Sequence, residues 1–281
     1  MYNEITNEEQ LNKELKFTDN YVFSAVLREN KDICIQLLEN VLGFEIKDLK
    51  YIDSEKTEKP SSDSHVIRMD VFTKDEKNIY NVEMQTYETE GLARRTRYYQ
   101  SAMDTVIFKQ GKDYEELQDS YIIMFCTFDP FQKDYCMYSF EKTCNEVDGL
   151  KLNDGSKVII LNAKGSIKNV ESSISDVLEY MKTGKACGDN LAGRIDEAVR
   201  NLSEEEKRRA QAVKYEADMM DAKRAGYKEG IATGRAEGIA TGRAEGMATV
   251  AKTMLGKGYS IEEVTEVTGL SKEEIEKAVN L

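Results

Sequence analysis

The sequence predicts a mixed α/β core followed by a C-terminal helical extension. Three observations favour this fold class. Three short segments rich in β-forming residues follow a helical segment near the start of the chain. A later apolar segment, DSYIIMFCTF, has the composition of a strand that is buried on both faces. After about residue 170, phenylalanine is absent and the apolar residues follow helical spacing.

Spacing and stop signals define the first elements. Residues 17 to 42 have helical periodicity and predict one or two helices that end at Gly43. Residues 91 to 110 return to the helical period, with Gly111 as the stop. Between these helical segments, three strands are predicted in EIKDLKYID, VIRMDVFTK and NIYNVEMQT.

Further strands complete the predicted sheet. DSYIIMFCTF is expected in a central position, and Pro130 follows it where the strand has already ended. DYCMYSFEK and KVIILNA add two more predicted strands. The first domain is therefore predicted over residues 1–170. A helical segment, a Gly-rich repeat and a helical hairpin are predicted to follow over residues 171–225, 226–249 and 250–281.

Glycine occurs at every fourth residue within the C-terminal extension, and GIATGRAE occurs twice in residues 230–245. Six glycines cost a helix about 5 kcal/mol relative to alanine, at about 0.8 to 1.0 kcal/mol each, so an isolated helix is not expected. A close contact between helices, which would make the protein a homodimer or higher homo-oligomer, and a mobile tether both remain open. The six glycines are Gly226, Gly230, Gly234, Gly238, Gly242 and Gly246.

Charge and composition limit the possible functions. The five cysteines include no Cys-x-x-Cys pair, which argues against a zinc or redox motif. The N-terminus does not resemble a secretory signal, and the longest apolar run, Tyr121 to Phe128, is too short to span a bilayer. We therefore expect a cytoplasmic protein without a membrane span. The net charge of −13 opposes nucleic-acid binding unless a local basic strip meets the phosphates.

The most informative pattern is a predicted β-hairpin over residues 66 to 86. Strand alternation places Asp70 on one face of the first strand and places Glu83 and Gln85 together on one face of the second. A turn of two or four residues at the centre of the hairpin sets Asp70 directly opposite Glu83. Like charges in that position repel each other, and a cation relieves the repulsion.

The residues alone leave two interpretations of this pair open. Oxygen ligands on a rigid strand pair suit Mg²⁺ or Mn²⁺, which can hold a phosphate oxygen and activate a water molecule. Alternatively, Arg68 neutralises the carboxylates in a structural salt bridge. His65, the single histidine, has no evident partner in the sequence, and we assign it no role.

The spacing of Asp70, twelve intervening residues and then Glu83-Met84-Gln85 resembles the PD-(D/E)XK nuclease superfamily. FTDNYVF, RMDV, ARRTRYYQSAM and YIIMFCTFDPF extend the resemblance to its Rpn branch, the recombination-promoting nucleases and transposases, over about residues 15 to 140. This resemblance implies a core of helix, three strands, helix and strand. It also implies Mg²⁺-dependent DNA endonuclease activity.

The resemblance assigns roles to individual residues. Asp70 and Glu83 hold the metal, with the Met84 carbonyl as a third ligand. Gln85 takes the place of the superfamily's lysine, so it orients the attacking water without supplying a positive charge, and we expect slow turnover. Asp19 matches the branch's N-terminal acidic position, where it either assists a second metal or a water molecule or caps the first helix.

A basic strip follows the hairpin. Arg94, Arg95 and Arg97 lie on the predicted helix after the second strand, where they can contact DNA phosphates, although a solvated helix face is the alternative. The leading interpretation is a metal-dependent DNA endonuclease associated with recombination or transposition. A non-catalytic oligomerising or regulatory protein that keeps the nuclease scaffold is the second interpretation.

Overall fold

A computed structural model describes residues 14–52, 69–88, 91–108 and 110–279. The chain divides after Tyr215 into two compact units. The described part of the first unit contains these helices and strands, in chain order: α1 (Asn20–Glu29), α2 (Lys31–Leu42), β1 (Lys50–Tyr51), β2 (Val71–Lys74), β3 (Asn78–Gln85), α3 (Leu92–Ile107), β4 (Asp119–Cys126), β5 (Met137–Phe140), β6 (Ser156–Asn162), α4 (Ser172–Thr183) and α5 (Leu191–Arg200). A long helix, α6 (Glu204–Gly256), begins in the first unit.

The strands of the described residues form one mixed sheet in the order β1-β2-β3-β4-β6-β5. β3, β4 and β6 run parallel to one another, and β1, β2 and β5 pair antiparallel with their neighbours. The predicted α/β class is therefore confirmed. DSYIIMFC forms β4, which lies between β3 and β6, and its residues from Ile122 to Cys126 are fully buried. This central position agrees with its continuous apolar run.

Two apolar clusters cover the two faces of the sheet. On one face, Tyr80, Val82 and Met84 of β3 pack with residues of α1, α2, α4 and α5. On the other face, Ile79 of β3 packs with residues of α3. Because side chains alternate along a strand, Asn81, Glu83 and Gln85 also lie on the α3 face. The chain therefore places its polar strand positions beneath α3.

The ends of two elements differ from the predicted ones. α3 ends at Ile107 and not at Gly111, because Phe108 already has an extended backbone with φ −84° and ψ 110°. Met69 packs in the same cluster as Phe72, although strict alternation would place these residues on opposite faces. β2 begins only at Val71, so Met69 precedes the strand and alternation does not apply to it.

Several predicted features lie outside the described residues. The structure describes β1 as a two-residue strand and resumes at Met69. The first residues of the predicted hairpin, including Arg68, therefore lie outside the described ranges, as does His65. The proposed neutralisation of the carboxylates by Arg68 stays untested for that reason.

The glycine repeat lies within α6, which is continuous from Glu204 to Gly256. The helix begins as its sequence predicts, with the Ser203 hydroxyl accepting a hydrogen bond from the Glu206 amide at 3.1 Å. The structure thus shows a helix at the glycine repeat, for which the sequence alone allowed either a helix or a mobile tether. A Cβ added at any of the six glycines would meet no atom within 4 Å, so contacts within the described chain do not offset their helix penalty.

The second unit ends in two short helices, α7 (Ile261–Thr268) and α8 (Lys272–Val279). Ala251, Val264 and Ile275 form a small apolar cluster that joins them to the end of α6. Ser260 and Glu263 form a capping box at the start of α7. In the part of the chain that the structure describes, no helix combines the length and the apolar character that crossing a membrane requires.

Candidate functional site

Asp70 and Glu83 meet where β2 begins. β2 pairs with β3 from Val71 opposite Val82, and this register sets Asp70 opposite Glu83, as the hairpin pattern predicts. The backbone N–H of Asp70 donates a hydrogen bond to Oε1 of Glu83 at 3.2 Å. The Asp70 carboxylate accepts a hydrogen bond from the backbone N–H of Met84 at 3.0 Å. Each carboxylate is therefore oriented by the backbone of the opposite chain segment.

Glu83 is a buried acid in an electrostatically strained position. Its side chain is fully buried. The pKa of Glu83 is raised above its usual value, first because burial removes the carboxylate from water and second because Asp70 places another negative charge beside it; Arg95 acts in the opposite direction. A cation at this position would stabilise the ionised pair.

Arg95 approaches this pair from α3. Its Nη2 donates to Oε2 of Glu83 at 3.2 Å, and its Nη1 donates to Oε1 of Gln85 at 2.9 Å. Its Nε donates to the Tyr99 hydroxyl at 2.8 Å, and the guanidinium carbon lies 5.0 Å from the centre of the Tyr99 ring. The guanidinium is therefore fixed by three side chains, two of which lie on β3.

Gln85 connects Arg95 with the backbone of β3. Its side chain is only 4% exposed, and its Nε2 donates to the Met84 carbonyl at 2.9 Å. The N–H of Met84 is held by Asp70, and its carbonyl is held by Gln85. The Met84 N–H therefore faces Asp70, and the Met84 carbonyl accepts a hydrogen bond from the Gln85 side chain.

A cleft of about 510 Å³ opens onto Asp70 between α1 and the start of α6. On its α1 wall, Arg28 donates through Nη2 to the Asp70 carbonyl at 2.9 Å. Tyr21, also on α1, donates through its hydroxyl to Oε2 of Glu206 on α6 at 2.6 Å. Arg209 lines the same cleft. Asp70 is therefore accessible from a cleft that carries both acidic and basic side chains.

Asp19 occupies the N-cap position of α1, but its side chain makes no capping hydrogen bond to that helix. Its Oδ2 accepts hydrogen bonds from the Lys16 backbone N–H at 2.9 Å and from Nζ of Lys214 at 2.8 Å. The expected capping through the side chain is therefore wrong, and the expected assistance to a second metal or a water molecule stays a prediction. Asp19 instead joins the start of α1 to α6.

The three predicted DNA-contacting arginines separate into two groups. Arg94 and Arg97 are exposed on α3. Arg95 turns inward to Glu83 and Gln85, and its side chain is 36% exposed. The exposure of Arg94 and Arg97 is compatible with the predicted contacts to DNA phosphates, whereas Arg95 belongs to the carboxylate site.

The oxygen donors of this site fit a hard divalent cation. The Asp70 and Glu83 carboxylates lie together at the start of β2, and Met84, whose N–H binds Asp70, is the residue after Glu83 on β3. Within the described ranges, no group of three or more His, Cys, Asp or Glu side chains has the arrangement of a metal site. Mg²⁺ is commonly held by one or two carboxylates and retains several waters, so this small donor set suffices.

Reasoning from the sequence missed two contributions to this site, those of Arg28 and of the inward-turned Arg95. Arg28 lies 42 residues before its partner Asp70 in the sequence, and no local pattern links the two residues. The inward turn of Arg95 is not evident from its immediate neighbours, because Arg94, Arg95 and Arg97 are the same residue type in one short helical segment. The i to i+4 spacing of Arg95 and Tyr99 was the available signal, since that spacing places both side chains on one helix face.

The family model for PD-(D/E)XK nuclease family transposases matches residues 16–226, which include the sheet and every site residue named above. Searches of curated proteins and of solved structures gave no match.

Proposed function

The chain belongs to the PD-(D/E)XK nuclease family of transposases, and on this premise we propose that it is a metal-dependent endonuclease that hydrolyses phosphodiester bonds in DNA. The observation that carries the proposal is the buried Glu83 carboxylate, which lies beside Asp70 at the start of β2, where Asp70 itself lines an open cleft. The family description names transposases and supports a role in transposition; the role in recombination is proposed from the resemblance to the Rpn branch.

Asp70, Glu83 and the Met84 carbonyl are the proposed ligands of Mg²⁺ or Mn²⁺. When bound, such an ion polarises a phosphate oxygen and lowers the pKa of a coordinated water. The chain's own contribution is to keep the two carboxylates oriented through the backbone amides of Asp70 and Met84. Gln85 is proposed to orient the attacking water, although its two side-chain polar groups already bind Met84 and Arg95.

DNA is the proposed substrate despite the net charge of −13. Arg94 and Arg97 are exposed on α3, the helix that follows the strand carrying Glu83. Their contact with backbone phosphates would be local and independent of DNA sequence. The acidic remainder of the surface predicts weak binding, which the phosphate contacts make weaker still as the salt concentration rises.

Plasmid cleavage tests the proposed activity. The purified full-length chain is incubated with supercoiled plasmid in Mg²⁺, in Mn²⁺ and in EDTA, beside Asp70→Ala and the exposed matched control Asp148→Ala. We expect the wild type and the control to nick the plasmid only with metal, and Asp70→Ala to lose activity. Equal nicking by wild type and Asp70→Ala would reject this site.

A second candidate function is a non-catalytic, self-associating protein on the nuclease scaffold. The observation that favours it is the fully helical glycine repeat, where a Cβ added at any of the six glycines would meet open space among the described residues. A second copy that packs along these glycines would offset their helix penalty and would make the protein a homodimer or higher oligomer. Calorimetry separates the two functions, because a scaffold without activity need not bind Mn²⁺ at Asp70 and Glu83.

A further inference from the structure

Arg95 lies inside the carboxylate site and not with the other arginines of α3. We propose that Arg95 supplies the fixed positive charge of this site and that Gln85 and Tyr99 position its guanidinium beside the reacting phosphate. This inference rests on the proposed nuclease function and adds a charged group to it. Arg95 thereby acts on the scissile phosphate and not on the DNA backbone outside the site.

The contacts of Arg95 are those of a held group and not of a mobile surface side chain. Nη1 and Nη2 bind Gln85 and Glu83 on neighbouring inward positions of β3, and Nε binds Tyr99 one helical turn along α3. Tyr99 is only 5% exposed and supports the guanidinium with both its hydroxyl and its ring. A planar donor fixed at three points loses little further freedom when an anion binds.

Gln85 has a specific part in this arrangement. An amide side chain both accepts and donates hydrogen bonds, so Gln85 can bind the Arg95 guanidinium through Oε1 and the Met84 carbonyl through Nε2. A lysine at position 85 would offer donors alone and would place a second cation against Arg95. Gln85 and Arg95 therefore form a matched pair, and Gln85 is a positioning residue for Arg95.

The chemistry of phosphodiester hydrolysis explains the need for such a charge. The oxygen of a water molecule bonds to phosphorus, the bond to the leaving oxygen breaks, and the leaving oxygen takes up one proton from that water. Negative charge increases on the phosphoryl and leaving oxygens in the transition state. A fixed cation beside them stabilises this state at no cost of reorganisation.

The same arrangement gives Arg95 a second effect. Its Nη2 pairs with Glu83, one of the two carboxylates proposed to bind the metal ion. A divalent cation at Glu83 therefore meets a positive charge that is already there, and its affinity is reduced by that repulsion. Removal of Arg95 should tighten metal binding and slow cleavage, whereas loss of a merely structural contact would weaken both.

The decisive experiment compares Arg95→Met, Arg95→Lys and the matched surface variant Arg94→Met in the full-length chain. Calorimetry measures the Mn²⁺ dissociation constant without DNA, and a single-turnover assay measures plasmid cleavage. We expect Arg95→Met to bind Mn²⁺ several-fold more tightly and to cleave roughly 10²-fold more slowly, the loss typical of removing one transition-state contact. Arg95→Lys should retain near-native Mn²⁺ affinity and part of the cleavage rate, and Arg94→Met should keep the native Mn²⁺ affinity.

A second part of the experiment moves the positive charge from Arg95 to position 85. In the double variant Gln85→Lys/Arg95→Met, a lysine on β3 supplies the cation, and cleavage should recover at least tenfold relative to Arg95→Met alone. Unchanged cleavage in Arg95→Met, or weaker Mn²⁺ binding together with slower cleavage, would overturn the inference. If Asp70→Ala cleaves as the wild type does, the proposed nuclease site fails, while tighter Mn²⁺ binding by Arg95→Met still supports the charge assignment.

Discussion

The backbone amide of Asp70 donates a hydrogen bond to the carboxylate of Glu83 across the end of the β2–β3 pair, at 3.2 Å. The Asp70 carboxylate is oriented separately, by the amide of Met84. The hairpin therefore brings two acids together and orients both without using a basic side chain of its own described residues. Among the described residues, Arg95 of α3 brings a positive charge to Glu83.

Replacement of Asp70 by asparagine should separate metal binding from stability. Asp70→Asn retains an oxygen that accepts from the Met84 amide but removes the charge beside Glu83. We expect its free energy of unfolding in EDTA to increase by up to about 1 kcal/mol, because a like-charge contact is lost. The stabilisation that Mn²⁺ gives to the wild type should disappear. Urea denaturation with and without Mn²⁺ measures both effects, and Mn²⁺ stabilisation equal to that of the wild type would exclude Asp70 as a ligand.

Glu83 should make stability depend on pH in the direction opposite to that of an ordinary paired carboxylate. Because burial and the Asp70 charge raise its pKa in the folded state, the folded protein binds this proton more tightly than the unfolded chain does, where the pKa is about 4.3. The stabilising contribution is complete below about pH 4.3 and is lost as the pH rises through the folded-state pKa.

The variant Glu83→Gln lacks this titration. We expect the wild type to lose stability relative to Glu83→Gln as the pH rises from about 4.3, in urea denaturation with EDTA. Saturating Mn²⁺ should abolish the loss, because the metal binds the ionised carboxylate. A difference between the two proteins that does not change with pH would show that the fold does not raise the pKa of Glu83.

Arg28 should affect the site by holding the backbone of Asp70. Arg28→Ala removes the hydrogen bond to the Asp70 carbonyl, with an expected loss of about 1 kcal/mol of stability. A less restrained Asp70 should also weaken Mn²⁺ binding several-fold. The control is Lys47→Ala, which removes an exposed cation paired only with Glu45 in the described contacts. Thermal denaturation and calorimetry test the expectation, and equal Mn²⁺ affinities for the two variants would contradict it.

Arg94 and Arg97 should contribute to DNA binding through phosphate contacts. For double-stranded DNA, each phosphate contact adds about 0.9 to the slope of log affinity against log salt concentration. Replacing both arginines by alanine should therefore reduce the slope by almost two and should weaken binding to all sequences equally. Fluorescence anisotropy in EDTA over a range of salt concentrations measures the slope. A slope identical to that of the wild type would show that Arg94 and Arg97 lie on a solvated face of α3 and do not contact DNA.

The glycine repeat leads to a prediction about self-association that is independent of the carboxylate site. Gly234→Ala and Gly238→Ala each add a Cβ that meets no atom within 4 Å, so each should stabilise the helix by about 0.8 to 1.0 kcal/mol. If two copies pack through these glycines, the same methyl groups obstruct their approach. We expect thermal melting of helical circular dichroism to shift upward while the mass from light scattering falls toward that of one chain. If the double variant Gly234→Ala/Gly238→Ala keeps the oligomeric mass of the wild type, the two copies make contact elsewhere on the chain.

Local periodicity in the sequence by itself determined which face several strand residues occupy and where β4 lies in the sheet. Alternation along NIYNVEMQ set Glu83 and Gln85 on one face, and the short loop before it set their register against Asp70. The continuous apolar run of β4 fixed that strand in the centre of the sheet. These features follow from covalent geometry and burial over a few residues, so the sequence is sufficient to predict them.

Only the tertiary structure decided which charges meet. Arg94, Arg95 and Arg97 are equivalent in composition, but the way α3 packs on β3 turns Arg95 alone among them toward Glu83. Asp19 is paired with Lys214, 195 residues away, and Arg28 with the Asp70 carbonyl, 42 residues away. Such contacts depend on how whole helices pack against the sheet, and this packing is determined by the complete set of side chains in the core.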